Sequence, residues 1–112
     1  MSISYNGIGH LTVTFPANDC AEGAVCKLNT SGKACACIAG DNICGVVHTV
    51  ENGKAAVVLE GFVTVGYAGT APSCGWTGLS GNGSGGVKVD TNAPARLVVQ
   101  VDSSNKKVTF KL

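Results

Sequence analysis

The sequence predicts an all-β fold, a small compact β-barrel of roughly eight to ten short strands with Gly-rich loops. Three observations carry this prediction. Valine is the commonest apolar residue, and Gly, Pro or β-branched residues interrupt every stretch long enough to make a good helix. Residues 10–15 alternate polar and apolar side chains with the period of a strand. Turn clusters containing Asn and Gly separate short β-forming runs along most of the chain.

With 112 residues the chain is about one small domain. Residues 1–9 are expected to form an N-terminal arm or edge strand, and residues 10–112 a single β-barrel domain. In the arm, Ile3 and Tyr5 are two apart and share one side when extended, while Gly7 and Gly9 allow it to swing. Ile3, Tyr5 and Ile8 are therefore candidate partner-binding residues, by addition of a strand to a neighbouring sheet.

The first regular strand runs from His10 to Phe15, with Leu11, Val13 and Phe15 on one face and His10, Thr12 and Thr14 on the other, and ends at Pro16. Val25 to Leu28 and Lys33 to Ile38 flank Asn29-Thr30-Ser31-Gly32 and are expected to form a hairpin. A second hairpin joins Ile43–Val50 to Ala55–Leu59 across Glu51-Asn52-Gly53-Lys54, in which Asn-Gly signals a type I′ turn. A strand from Phe62 to Tyr67 follows a bend at Gly61, and the Gly-rich tract 75–86 carries the only tryptophan. The last hairpin joins Leu97–Val101 to Val108–Phe110 through Asp102-Ser103-Ser104-Asn105.

Charged residues make up 13% of the chain, about half the usual fraction, and the net charge is +1. The densest basic cluster is the pair Lys106-Lys107, which gives counterion release little to work with, so nucleic acid is not expected as a partner. No apolar run approaches the roughly 20 residues of a membrane-spanning helix, and no membrane partner is expected. The opening residues lack a basic n-region and an unbroken apolar run, which points to synthesis in the cytoplasm.

Six cysteines, Cys20, Cys26, Cys35, Cys37, Cys44 and Cys74, are fewer than a disulfide scaffold of this length carries, and no C-x-x-C occurs. Reduced, mostly buried thiols are expected. Cys44 and His48 are four apart on an expected strand and so share a face. Cys35 and Cys37 also share a face, and a metal would have to recruit Cys44 or Cys74 to complete its ligands. Packing is the plainer role for all of these, and no metal, cofactor or catalytic residue is expected.

Gly81-Asn82-Gly83-Ser84-Gly85-Gly86 satisfies G-x-G-x-x-G but leads into the strand-like Val87-Lys88-Val89, leaving no helix to hold a pyrophosphate. Gly32-Lys33 and Gly53-Lys54 are each followed by Ala and lack the first glycine of a P-loop. The seven carboxylates sit mostly beside Gly or Asn, where they cap turn backbones, and no pair suits general acid–base work. Trp76 is a candidate partner-binding residue as an interface anchor, although a lid over the open end of the barrel is the role first expected of it.

The order Asp19…Glu22-Gly23-Ala24-Val25, Asn29-Thr30-Ser31-Gly32-Lys33, Gly40-Asp41-Asn42-Ile43-Cys44-Gly45-Val46-Val47, then Ala55-Ala56-Val57-Val58-Leu59 and Gly61-Phe62-Val63-Thr64-Val65, resembles small tailed-phage capsid decoration proteins of the head-stabilising cement type. The resemblance spans most of residues 8 to 112. It implies a non-enzymatic virion protein, made in the bacterial cytoplasm, that binds the major capsid protein on the capsid exterior, often as a homotrimer. Two other readings are a metal- or redox-linked protein using Cys35, Cys37, Cys44 and His48, and a module binding host-surface glycans through Trp76, Tyr5 and Tyr67.

Overall fold

The computed structural model describes residues 10–112; the expected arm, with Ile3, Tyr5 and Ile8, lies outside the described residues. Among the described residues ten strands form and no helix: β1 (Leu11–Pro16), β2 (Val25–Leu28), β3 (Ala34–Ala36), β4 (Gly45–Glu51), β5 (Lys54–Glu60), β6 (Phe62–Ala68), β7 (Gly75–Gly81), β8 (Val87–Val89), β9 (Ala95–Asp102) and β10 (Lys107–Lys111).

The three expected hairpins form, each for a local reason. Asn52 and Gly53 both take positive φ, 53° and 73°, as a type I′ turn requires, and Glu51 pairs with Lys54. In the β2–β3 turn Asn29 Oδ1 accepts the Ser31 and Lys33 N–H groups at 2.9 and 3.0 Å. In the β9–β10 loop Asp102 Oδ1 accepts the Ser104 and Asn105 N–H groups, so each side chain holds a turn that backbone pairing alone leaves open.

The strands divide between two sheets. β1-β5-β4-β2-β3 form one, and β10-β6-β8-β7-β9 close into a barrel. All neighbouring pairs are antiparallel except β6 and β8. The crossing between sheets takes one residue, Gly61, between the end of β5 and the start of β6. The first sheet also curls: beyond β1, Ala17 bridges Ala34 in parallel, and the Asn18 N–H donates to the Ala34 carbonyl at 2.8 Å. Its two outer strands thus meet at one end, which shields part of their edges.

Strand alternation sends opposite faces of the first sheet into different cores. Val25, Val46 and Val58 join the barrel's Val63, Val65, Leu79, Val87, Val98, Val108 and Phe110 in one buried cluster. Their neighbours Cys26, Val47 and Val57 point the other way and pack with Ala34 and Ala55. Backbone bonds reinforce the junction, with Val25 N–H donating to Gly85 O at 3.0 Å and Gly81 N–H to Asp41 O at 2.9 Å. The two sheets are therefore halves of one body. At Gly86 the backbone of the Gly-rich turn passes so close to the Gly66 carbonyl on β6 that a Cβ would run into it, which explains a glycine there on packing grounds.

Candidate functional site

Five of the seven acidic side chains accept backbone N–H groups, Asp41, Asp90 and Asp102 within their own turns, and Asp19 and Glu22 of loop 19–24 from strands β3 and β4. Asp19 accepts the Ala36 N–H, Glu22 the Val50 N–H, Asp41 the Ile38 N–H, Asp90 the Asn92 N–H and Asp102 the Ser104 N–H. Three of these carboxyls are held below the usual carboxylate range. The ion pair with Lys27 and then the Ile38 N–H act on Asp41, the Asn92 N–H and then the Ser80 hydroxyl on Asp90, and the Asn105 side chain and backbone on Asp102. They remain ionised acceptors, and none is poised to give up a proton near neutrality.

A cleft of about 510 Å³ opens where loop 19–24 faces the Gly-rich turn, with Lys107 on its rim. Its two carboxylates, Asp19 and Glu22, are the ones already bonded to Ala36 and Val50. Its one thiol, Cys37, is buried, and burial pushes it up to about 11. A protonated thiol and two capped carboxylates make no nucleophile–base pair. The Gly-rich turn itself is braced: Asn82 Oδ1 accepts the Ser84 and Gly86 N–H groups, and the chain continues into β8.

Trp76 does not form the expected lid. It stands on β7, cross-strand from Leu97, and is 74% exposed, because β7 turns this residue away from the barrel interior that Leu79 fills. Beside it a shallow dent is lined by Ala95, Arg96, Leu97, Lys111 and Leu112. An exposed indole next to aliphatic and cationic side chains is a ready contact surface. Ile38, just after β3, is 68% exposed and was not singled out by pattern, since the strand expected to contain it ends at Ala36. Tyr67 is buried with Lys106 Nζ 5.9 Å from its ring centre, so it offers no platform to a glycan.

The thiol and imidazole readings change most. His48 is the extra residue of a β-bulge, since Val47 pairs with Val57 and Thr49 with Ala56. It is exposed and lines a dent with His10 and Val63, whereas Cys44 packs against the second core. The two therefore do not share a face. Cys35 on β3 and Cys37 just past its end are both buried, Cys37 within the barrel cluster. Among the described residues no group of three or more His, Cys, Asp or Glu is arranged to hold a metal ion.

Cys44 instead meets Cys26, a partner that sequence spacing did not single out. Their sulfurs are 4.0 Å apart. Gly45 pairs with Cys26 in the β2–β4 register, while the Cys44 N–H also donates to the Cys26 carbonyl at 2.9 Å. Two residues opposite one is the pattern of a bulge, and it turns Cys44 to the Cys26 side. The signal lies in the pairing of β2 with β4, which spacing along the chain does not encode. Comparison with protein-family models, with curated proteins and with solved structures finds no match to this chain.

Proposed function

We propose that the protein is a non-enzymatic decoration subunit that binds the exterior of a tailed-phage capsid and stabilises it. The observation that carries this reading is the use of carboxylates: five of seven brace loops, so the chain's polar chemistry goes into rigidity. A stiff, charge-poor β-body with an exposed Trp76 has what a protein needs to be held repeatedly on a lattice. Its sequence resemblance to cement proteins points the same way.

In this reading the partners are the major capsid protein and further copies of the chain, as a homotrimer. Trp76 and its neighbours Leu97 and Leu112 supply the apolar centre of a contact, and Arg96 and Lys111 its polar rim. The test is co-sedimentation: phage particles from a producing culture are banded by density and their proteins identified by mass spectrometry. Recovery of the chain in the particle band in constant ratio to the major capsid protein is expected. Its confinement to the soluble fraction would overturn the proposal.

A further inference from the structure

The Cys26–Cys44 contact is the one sulfur–sulfur hydrogen bond among the described residues. Cys26 is fully buried, while Cys44 is partly exposed and packs against the second core. The backbones are already joined across one strand gap by the Cys44 N–H to Cys26 carbonyl bond. Closing 4.0 Å to the length of an S–S bond, about 2.05 Å, asks for side-chain rotation within a register that pairing has fixed.

We propose that Cys26 and Cys44 are a redox-active dithiol that low-molecular-weight disulfides, such as oxidised glutathione, convert to an intrachain disulfide.

The exposure difference orders the steps. Cys44 sulfur, as thiolate, attacks one sulfur of the oxidant; the oxidant's S–S bond breaks and its other half leaves as a thiolate with the electron pair. Cys26 then gives its proton to that thiolate and attacks the Cys44 sulfur of the mixed disulfide, expelling the second half as a thiolate, which takes up from solvent the proton that Cys44 released on ionising. Two protein thiols are oxidised to one disulfide, and one small disulfide is reduced to two thiols.

The surroundings favour this order. The hydrogen bond from Cys26 and the nearby Arg96 guanidinium, itself bonded to the Ile43 carbonyl at 3.0 Å, hold the Cys44 thiol below its ordinary value. Its hydrogen-bonded partner is held above, chiefly by that same bond and by burial. Once Cys44 is capped by the oxidant, its thiolate no longer opposes ionisation of Cys26. Cys20 packs against the same core and is the competing thiol. Cys35 alternates with Ala34, which faces that core, and Cys37, just past β3, belongs to the barrel cluster; both are further thiols whose linkage the mapping would reveal. The bond would staple β2 to the start of β4 whatever the wider function of the chain.

The experiment incubates the whole protein with excess oxidised glutathione, alkylates the remaining thiols, and maps cysteines by peptide mass spectrometry. The expected result is a Cys26–Cys44 linked peptide, preceded in the time course by a glutathione adduct on Cys44. Closing an 18-residue span should raise Tm by on the order of 10 °C. Cys26→Ala should stall at the Cys44 adduct, and Cys20→Ser should still form the link. The wild-type time course decides the matter even if a variant fails to fold. Linkage of any other pair, a permanent Cys44 adduct in the wild type, or full alkylation of both thiols after oxidation would overturn the proposal.

Discussion

Lys27 on β2 forms an ion pair with Asp41 through Oδ2, the same oxygen that accepts the Ile38 N–H at 2.9 Å. The turn so held is also bonded to the barrel, since Gly40 N–H donates to Gly81 O and Gly81 N–H to Asp41 O, each at 2.9 Å. One carboxylate thus ties β2 to the turn that fastens the first sheet to β7. Replacing it should separate two contributions: Asp41→Asn removes the charge but keeps an acceptor, and Asp41→Ala removes both. Thermal melts should rank wild type above Asp41→Asn and Asp41→Ala lowest; equal melting of all three would show that the turn is held by its backbone bonds alone.

Acid should weaken the fold through the same groups. Asp41, Asp90 and Asp102 have folded values below their unfolded ones. Their stabilisation is therefore fully present above the unfolded value, about 3.9, and is lost as pH falls through the folded values. Lys27 is raised by Asp41, so its share persists below the unfolded value, about 10.4, and is lost as pH rises through the folded one. Urea midpoints should drop below about pH 4. A midpoint that rises on acidification would contradict these assignments.

Two glycines should respond differently to alanine. At Gly86 the added methyl meets the Gly66 carbonyl, a backbone atom that cannot rotate away, and a loss of about 2 to 3 kcal/mol is expected. At Gly53 nothing lies within reach of a Cβ, and only the positive φ opposes it, for about 1 to 2 kcal/mol. Chemical denaturation of Gly86→Ala and Gly53→Ala checks the order; a Gly86→Ala protein as stable as wild type would mean that β6 and the Gly-rich turn can part at little cost.

The shared core predicts one cooperative unfolding. Phe110→Ala, in the fully buried centre of the barrel cluster, should cost about 3 to 5 kcal/mol. Val57→Ala, in the second core, should cost about 2 kcal/mol for two lost methyl groups. Because Val25, Val46 and Val58 of the first sheet belong to the barrel's cluster, both changes should shift a single calorimetric transition. Two separate transitions, each moved by one substitution, would show that the sheets fold independently.

Trp76→Ala should leave folding almost untouched, within about 0.5 kcal/mol, since the indole is largely in solvent. On the proposed decorating role, binding of added protein to capsids stripped of it should weaken by roughly 30-fold, the scale of a hot-spot tryptophan. A stability loss without a binding loss would move Trp76 from the contact to the scaffold.

What the sequence made legible was local. Asn52-Gly53 and Asn29 through Gly32 encode their turns in side-chain chemistry and backbone freedom, so the hairpins could be placed from a few residues each. The division into two sheets could not, because the pairing of β1 with β5 and the parallel pairing of β6 with β8 depend on partners distant in the chain. The position of Cys44 shows the same limit at the scale of one residue. Strict alternation places Cys44 and His48 together, but Cys44 lies just before β4 and the β2–β4 register turns it to Cys26 and the second core, while Val46 belongs to the barrel cluster and His48 lines a dent beside it.

The most direct measurement is a cryo-electron microscopy reconstruction of phage particles purified from a culture that produces the chain. Decoration predicts protrusions on the capsid exterior that fit the ten-stranded, two-sheet body, repeated in threes on the lattice, with the Trp76 face buried in a contact. Particles whose outer surface is fully accounted for by other proteins, with no density for this fold, would contradict it.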